Sequence, residues 1–202
     1  TLAVTLTQGE EQRLRRRGTG NVDAYESWLR ARELLGRGTR ESVMQAQAMH
    51  RRAIESDPNF AAPHAGLALA EISEYVSDWA LDPAQALDQA GRWARRAVEL
   101  DDQEPAGHMA LGNVLLWRRD HAGALAELRR TIALDPNFAG GHTATGMALM
   151  YAGRAAEALE PIATAMRLDP HYPGMVLHFL AQANFSLGKY EIAAQQLLER
   201  IG

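Results

Sequence analysis

Apolar residues recur along most of this 202-residue chain at helical rather than strand spacing. Tyr25, Trp28, Leu29, Leu34 and Leu35 form a stripe that predicts a helix, capped by Asn21 and ended by Gly36-Arg37-Gly38. Val43, Ala46, Met49, Ala53 and Ile54 predict a second helix over about residues 40–56. Pro58 disfavours helical geometry in the residue before it, so Asp57 leaves that helix. A third begins at Ala61 and continues through Ile72 and Tyr75. Beyond a longer connection, Asp82 supplies an N-cap and Pro83 a first helical residue, where a missing amide costs nothing; this helix runs to about Leu100. Residues 1–6 alternate weakly and are partly β-branched, as in the tail of a strand from a preceding domain or a disordered lead-in. Thr7-Gln-Gly-Glu10 has the form of a capping box for a short helix to about Arg17. Gly18-Thr19-Gly20-Asn21 then breaks the chain.

From residue 105 the pattern becomes a repeat. His108-Met-Ala-Leu111-Gly112 returns as His142-Thr-Ala-Thr145-Gly146, Ala124 as Ala158, and Asp135-Pro136 as Asp169-Pro170, each 34 residues on. His108, Leu111, Gly112 and Leu115, then Ala124 and Leu128, fill two blocks whose spacing resembles the tetratricopeptide motif. His142, Thr145, Gly146, Leu149, Ala158 and Ile162 fill them again. The packing reason is that Gly or Ala sits where the two helices of a unit cross, with large apolar residues beside it. The resemblance covers roughly residues 22–202 and departs from the motif in placing His where Trp is common. It implies an all-α fold: an α-solenoid of about five helix–turn–helix units in a right-handed superhelix. The expected organisation is a lead-in over 1–20 and repeats over 21–202, with units near 21–58, 61–102, 105–138, 139–172 and 173–202. Pro58 and the corresponding Asp102 lie 44 residues apart, so ten residues are inserted, and the connection 77–83 is where they are expected.

Composition narrows function by exclusion. Net charge is −4, which gives no electrostatic case for nucleic acid; Arg13, Arg15, Arg16 and Arg17 read as a solvated helix face. With no Cys, disulfides and thiolate metal sites are excluded. No run reaches the roughly 18 apolar residues of a membrane helix, and the expected compartment is the cytoplasm. Asp101-Asp102, Asp135 and Asp169 are turn residues in separate units rather than a carboxylate pair facing one site. Gly18-Thr-Gly20 lacks the ending of a phosphate loop. No catalytic set, metal site or cofactor site is expected.

His64, His108 and His142 share one slot in successive units. Adjacent helices lie about 8–10 Å apart, too far for zinc to bridge unaided, so the slot reads as packing copied by duplication. In the tetratricopeptide family, ligands lie against the inner helices. Carried over by register, that implies a groove lined by Met109, Asn113, Leu116 and Trp117, then Thr143, Met147, Met150 and Tyr151, then His178, Gln182 and Phe185. No Lys or Arg is among them, which argues against a clamp for a peptide carboxylate. A Met- and aromatic-rich trough suits a helix or an extended apolar segment of a protein partner. The competing occupants are the chain's own N-terminal segment and a neighbouring copy. Trp79, in the inserted connection, reads either as an interface anchor or as a lid folded onto adjacent helices.

A narrower resemblance lies at the N-terminal end. Leu6-Thr-x-x-Glu10, then Arg17-x-Thr19-x-Asn21-x-x-Ala24-Tyr25-x-x-Trp28-Leu29-Arg30, looks like the junction that precedes the repeats of bacterial class III adenylate/guanylate cyclases and related signalling proteins. It implies the alternative function of a regulatory and oligomerising region without catalytic residues of its own. Leu197, Leu198 and Ile201 end the chain without a polar capping helix, so self-association through that end is expected with it.

Overall fold

The computed structural model describes residues 18–171 and 174–201, all helices and turns. The expected short helix before Arg17 lies outside these. Ten helices follow in order among the described residues: α1 (Val22–Gly36), α2 (Arg40–Ser56), α3 (Ala61–Val76), α4 (Pro83–Leu100), α5 (Pro105–Trp117), α6 (His121–Leu134), α7 (Ala139–Tyr151), α8 (Ala155–Leu168), α9 (Gly174–Ser186) and α10 (Tyr190–Ile201). The chain divides into two compact bodies, one up to Ala110 and one from Leu111. In the first, α1 packs on α2, α2 on α3 and α3 on α4. In the second, α6 packs on α7, α7 on α8, α8 on α9 and α9 on α10. This antiparallel stacking of neighbours is the expected all-α repeat.

Side chains start the helices as the sequence implied. Asn21 accepts from the amide of Ala24, Asp82 from Gln85 and Asp120 from Gly123, each pairing an amide left open by the first turn. Thr39 and Ser42 form a reciprocal capping box at α2. The outer helices end alike. Asp57, Asp101, Asp135 and Asp169 turn extended, and the carboxylate of each accepts the amide two residues on, at 2.9–3.1 Å. These are Asx turns, which let the chain leave the helix without orphaning its amides.

The recurring histidine belongs to the same corner. Nε2 of His64, His108 and His142 lies 3.3, 3.0 and 2.9 Å from the carbonyl oxygens of Pro58, Asp102 and Pro136, six residues back each time. A bond to a carbonyl requires the proton on Nε2. The slot therefore pins each turn to the first coil of the next inner helix, a polar role beyond the packing expected. Among the described residues no group of three His, Asp or Glu could hold a metal ion.

Glycines sit where helices touch. A Cβ on Gly112 would come 2.8 Å from Leu128 Cγ, and one on Gly146 would come 2.4 Å from Ile162 Cγ1, as expected for the crossing inside a unit. Gly66 and Gly141 do the same against the preceding outer helix, facing the His50 ring and Thr131. The ten inserted residues are not confined to a loop. Helices α3 and α4 have 16 and 18 residues against 13 and 14 in α5 and α6, and the connection 77–82 compares with 118–120. Asp82-Pro83 sets the start of α4, and beyond Gly66 no Gly or Pro interrupts α3 up to Val76.

At the N-terminal end, Thr19 Oγ1 donates to Asp57 Oδ2 at 2.5 Å and Asn21 Nδ2 to the Ser56 carbonyl at 2.8 Å. Ala24, Tyr25, Phe60 and Ala62 are buried together, with Trp28 against them. The cyclase-like motif residues thus lash α1 to the end of α2.

Candidate functional site

Two aromatics of the second body stand at equal register on inner helices. Trp117 ends α5 and Tyr151 ends α7, 34 residues later. Their rings meet edge-on with centroids 5.2 Å apart at 63°, a geometry worth about 0.5–1.5 kcal/mol beyond burial. Trp117 is half-buried while Tyr151 keeps 51% of its surface exposed. Tyr151 is thus oriented by its neighbour and still open. On α9, Phe185 is 62% exposed and packs edge-on against Tyr190. Thr143, Met147 and Met150 are half-buried, and the Thr143 hydroxyl donates to the Ala139 carbonyl within its own helix. Gln182 is exposed. His178 is half-buried beside Phe179, and its Nδ1 is enclosed without a partner among the described residues.

Three of the expected groove residues lie elsewhere. Asn113 and Leu116 in the second body and Met109 in the first are buried, at 7, 3 and 8% exposure, and offer a partner almost no surface. Leu116, Met150 and Phe185 share one register but run from buried through half-buried to exposed. Depth follows from what covers each helix, which register does not encode. Asn113 is the more unusual, because its Oδ1 is enclosed with no hydrogen-bond partner among the described residues. The resulting surface is apolar and uncharged. It can hold side chains by dispersion and burial, and it contains no acid–base pair.

Two features escaped the sequence reading. His50 is fully buried in the outer-helix slot that Leu128 and Ile162 hold later; it stands at the same distance before the Asp turn. A cleft beside the connection 77–82 was signalled only by the inserted residues.

The fold is that of the tetratricopeptide-repeat proteins. A thermophilic protein of this class, TTC0263 of Thermus thermophilus, superposes with a TM-score of 0.68 at 18% identity, over 88% of this chain and 91% of that one. PilF of Pseudomonas aeruginosa gives 0.60 at 22% identity, over 89% and 78%. YrrB, described as a TPR protein with an unusual peptide-binding site, gives 0.51 at 21% identity, over 88% and 84%. No protein-family model matches the chain. A curated relative, Putative adenylate cyclase 3 of Rhizobium meliloti (strain 1021), is 37% identical over 118 residues, which are 58% of this chain and 20% of that protein. The matched segment is therefore about a fifth of the relative's length. No helix of the described residues is long and apolar enough to cross a membrane.

Proposed function

We propose that the chain is a non-catalytic interaction module whose second body takes an apolar protein or peptide segment against Trp117, Met147, Met150 and Tyr151. The observation that carries this reading is the Trp117–Tyr151 pair, one ring holding the other half out of the surface. Large, rigid aromatics with an apolar body and a polar tip are the usual anchors of interfaces. The peptide-binding site named for YrrB supports the class of ligand. Selection of displayed peptides against the chain tests it. Apolar sequences should be enriched, and Tyr151→Ala should weaken them by about tenfold or more without loss of helical content. Selected peptides that bind Tyr151→Ala and Trp117→Ala as well as the parent chain would reject this face.

A second reading follows from the cyclase match: the chain as the regulatory and self-associating region of a cyclase-like signalling protein. Ile192, Leu197 and Leu198 of α10, at 49, 40 and 70% exposure, favour it as exposed apolar residues on one helix. Light scattering over a range of concentrations tests this; a monomer throughout would count against it.

A further inference from the structure

The first body contains a cleft of about 460 Å3. It opens between the starts of outer helices α2 and α4, with the end of inner helix α3 as floor and the connection 77–82 as one wall. This wall is a fixed structure: the amides of Trp79 and Ala80 both donate to the Glu74 carbonyl, at 2.9 and 3.2 Å, and Asp78 adopts the left-handed region to close the turn. Trp79 is half-buried against the cleft, and Met44 and Leu81 stand exposed at its rim. Three apolar side chains thus surround the opening.

The charged lining is mostly acidic. Glu71 and Glu74 lie on the floor and Asp82 on the wall, against Arg40 as the lining cation. Asp82 is engaged as the α4 cap. Glu71 is engaged more loosely: it is buried, at 9% exposure, accepts no hydrogen bond among the described residues, and pairs with Arg51 at 4.0 Å. Burial and Glu74 raise its pKa, and the opposing pull of Arg51 and Arg92 does not reverse this. A buried carboxylate at a cleft, with its arginine partner only at the limit of ion-pair distance and no hydrogen-bond donor among the described residues, has room for a second cation.

We propose that this cleft receives an arginine or lysine side chain of a partner protein. Glu71 and Glu74 meet the charged head, and Met44, Trp79 and Leu81 cover the alkyl stem. Such side chains bury their methylenes while keeping the head on polar groups. A guanidinium brings several donors to a carboxylate that has none, and the Trp79 face adds a cation–π contact. The site is separate from the Trp117–Tyr151 face, so either can fail alone.

The test is a titration of the 202-residue chain followed by amide and indole NMR. The probes are the peptide Ac-Leu-Arg-Leu-NH2, its neutral citrulline counterpart, and agmatine as a free cation. The arginine peptide is expected to shift the Trp79 indole and the Gln85 and Gln89 side-chain amides, which line the cleft. The citrulline peptide should bind about tenfold more weakly. Glu71→Gln should cost a similar factor with helical content and melting temperature retained, and Trp79→Ala, changed in a connection rather than a helix, should weaken binding as well. Tyr151→Ala should leave it unchanged. Equal binding of the arginine and citrulline peptides, or no shift at Trp79, would overturn the proposal. Agmatine binding as tightly as the peptide would overturn its assignment to a protein side chain.

Discussion

His50 makes the stability of the first body depend on pH. The ring is fully buried, neither nitrogen has a hydrogen-bond partner among the described residues, and Gly66 leaves it room. Burial lowers its pKa from 6.5 to about 4. The unfolded chain therefore binds this proton more readily than the folded one. The associated stability is fully present above the unfolded value of 6.5 and is lost as pH falls through the interval down to about 4. The complete loss is about 3 kcal/mol, and about 2 kcal/mol is gone by roughly pH 5. His50→Leu supplies the residue found at position 128 and leaves no orphaned nitrogen, so it should raise stability by about 1–3 kcal/mol at neutral pH. Its advantage should widen by about 2 kcal/mol at roughly pH 5. Burial also lowers the pKa of His64, although its bond to Pro58 opposes this. The informative quantity is therefore the difference between parent and variant in urea unfolding followed by circular dichroism at the two pH values. A difference that does not widen in acid would refute the assignment of the acid loss to His50.

Four further substitutions test the packing and the turns. Gly146→Ala places a carbon 2.4 Å from Ile162 Cγ1 and should cost about 1–3 kcal/mol; combined with Ile162→Ala, the double variant should lose clearly less than the two single costs together, and strict additivity would show that the helices do not meet there. Arg119 holds φ at 64° in the turn where Gly153 holds 74° one unit later; Arg119→Gly should stabilise by about 0.5–1 kcal/mol and Gly153→Ala should destabilise by about 1 kcal/mol, and a loss of stability in Arg119→Gly on denaturant titration would contradict the strain argument.

Much of the fold was readable because it rests on local chemistry. Asn21, Asp82, Asp57 and Pro83 act on amides within a few residues of themselves, and the helices begin and end where those residues placed them. Gly112 and Gly146 were readable because their slot repeats, and a repeat exposes a packing rule that one copy would hide. The candidate face was less legible. Trp117 and Tyr151 lie together at one register, but the same reasoning put buried Leu116 and Asn113 beside them. The inserted residues showed that the second unit differs without showing that seven of its positions lengthen helices or that the connection walls a cleft.

By itself the sequence determined the secondary structure, the period and the tetratricopeptide class, because caps, breakers and helical spacing are short-range causes written in consecutive residues. Tertiary structure alone decided which residues are surface and which polar groups lack partners. Leu116 is buried and Phe185 open at one register, and Glu71 lies buried at a cleft that Trp79 also lines. Burial depends on which distant helix covers a position, and the energetic cost of a charge or an imidazole follows from burial. His50 shows both: its place in the repeat could be read by counting, but its lowered pKa came only with the helix packed over it.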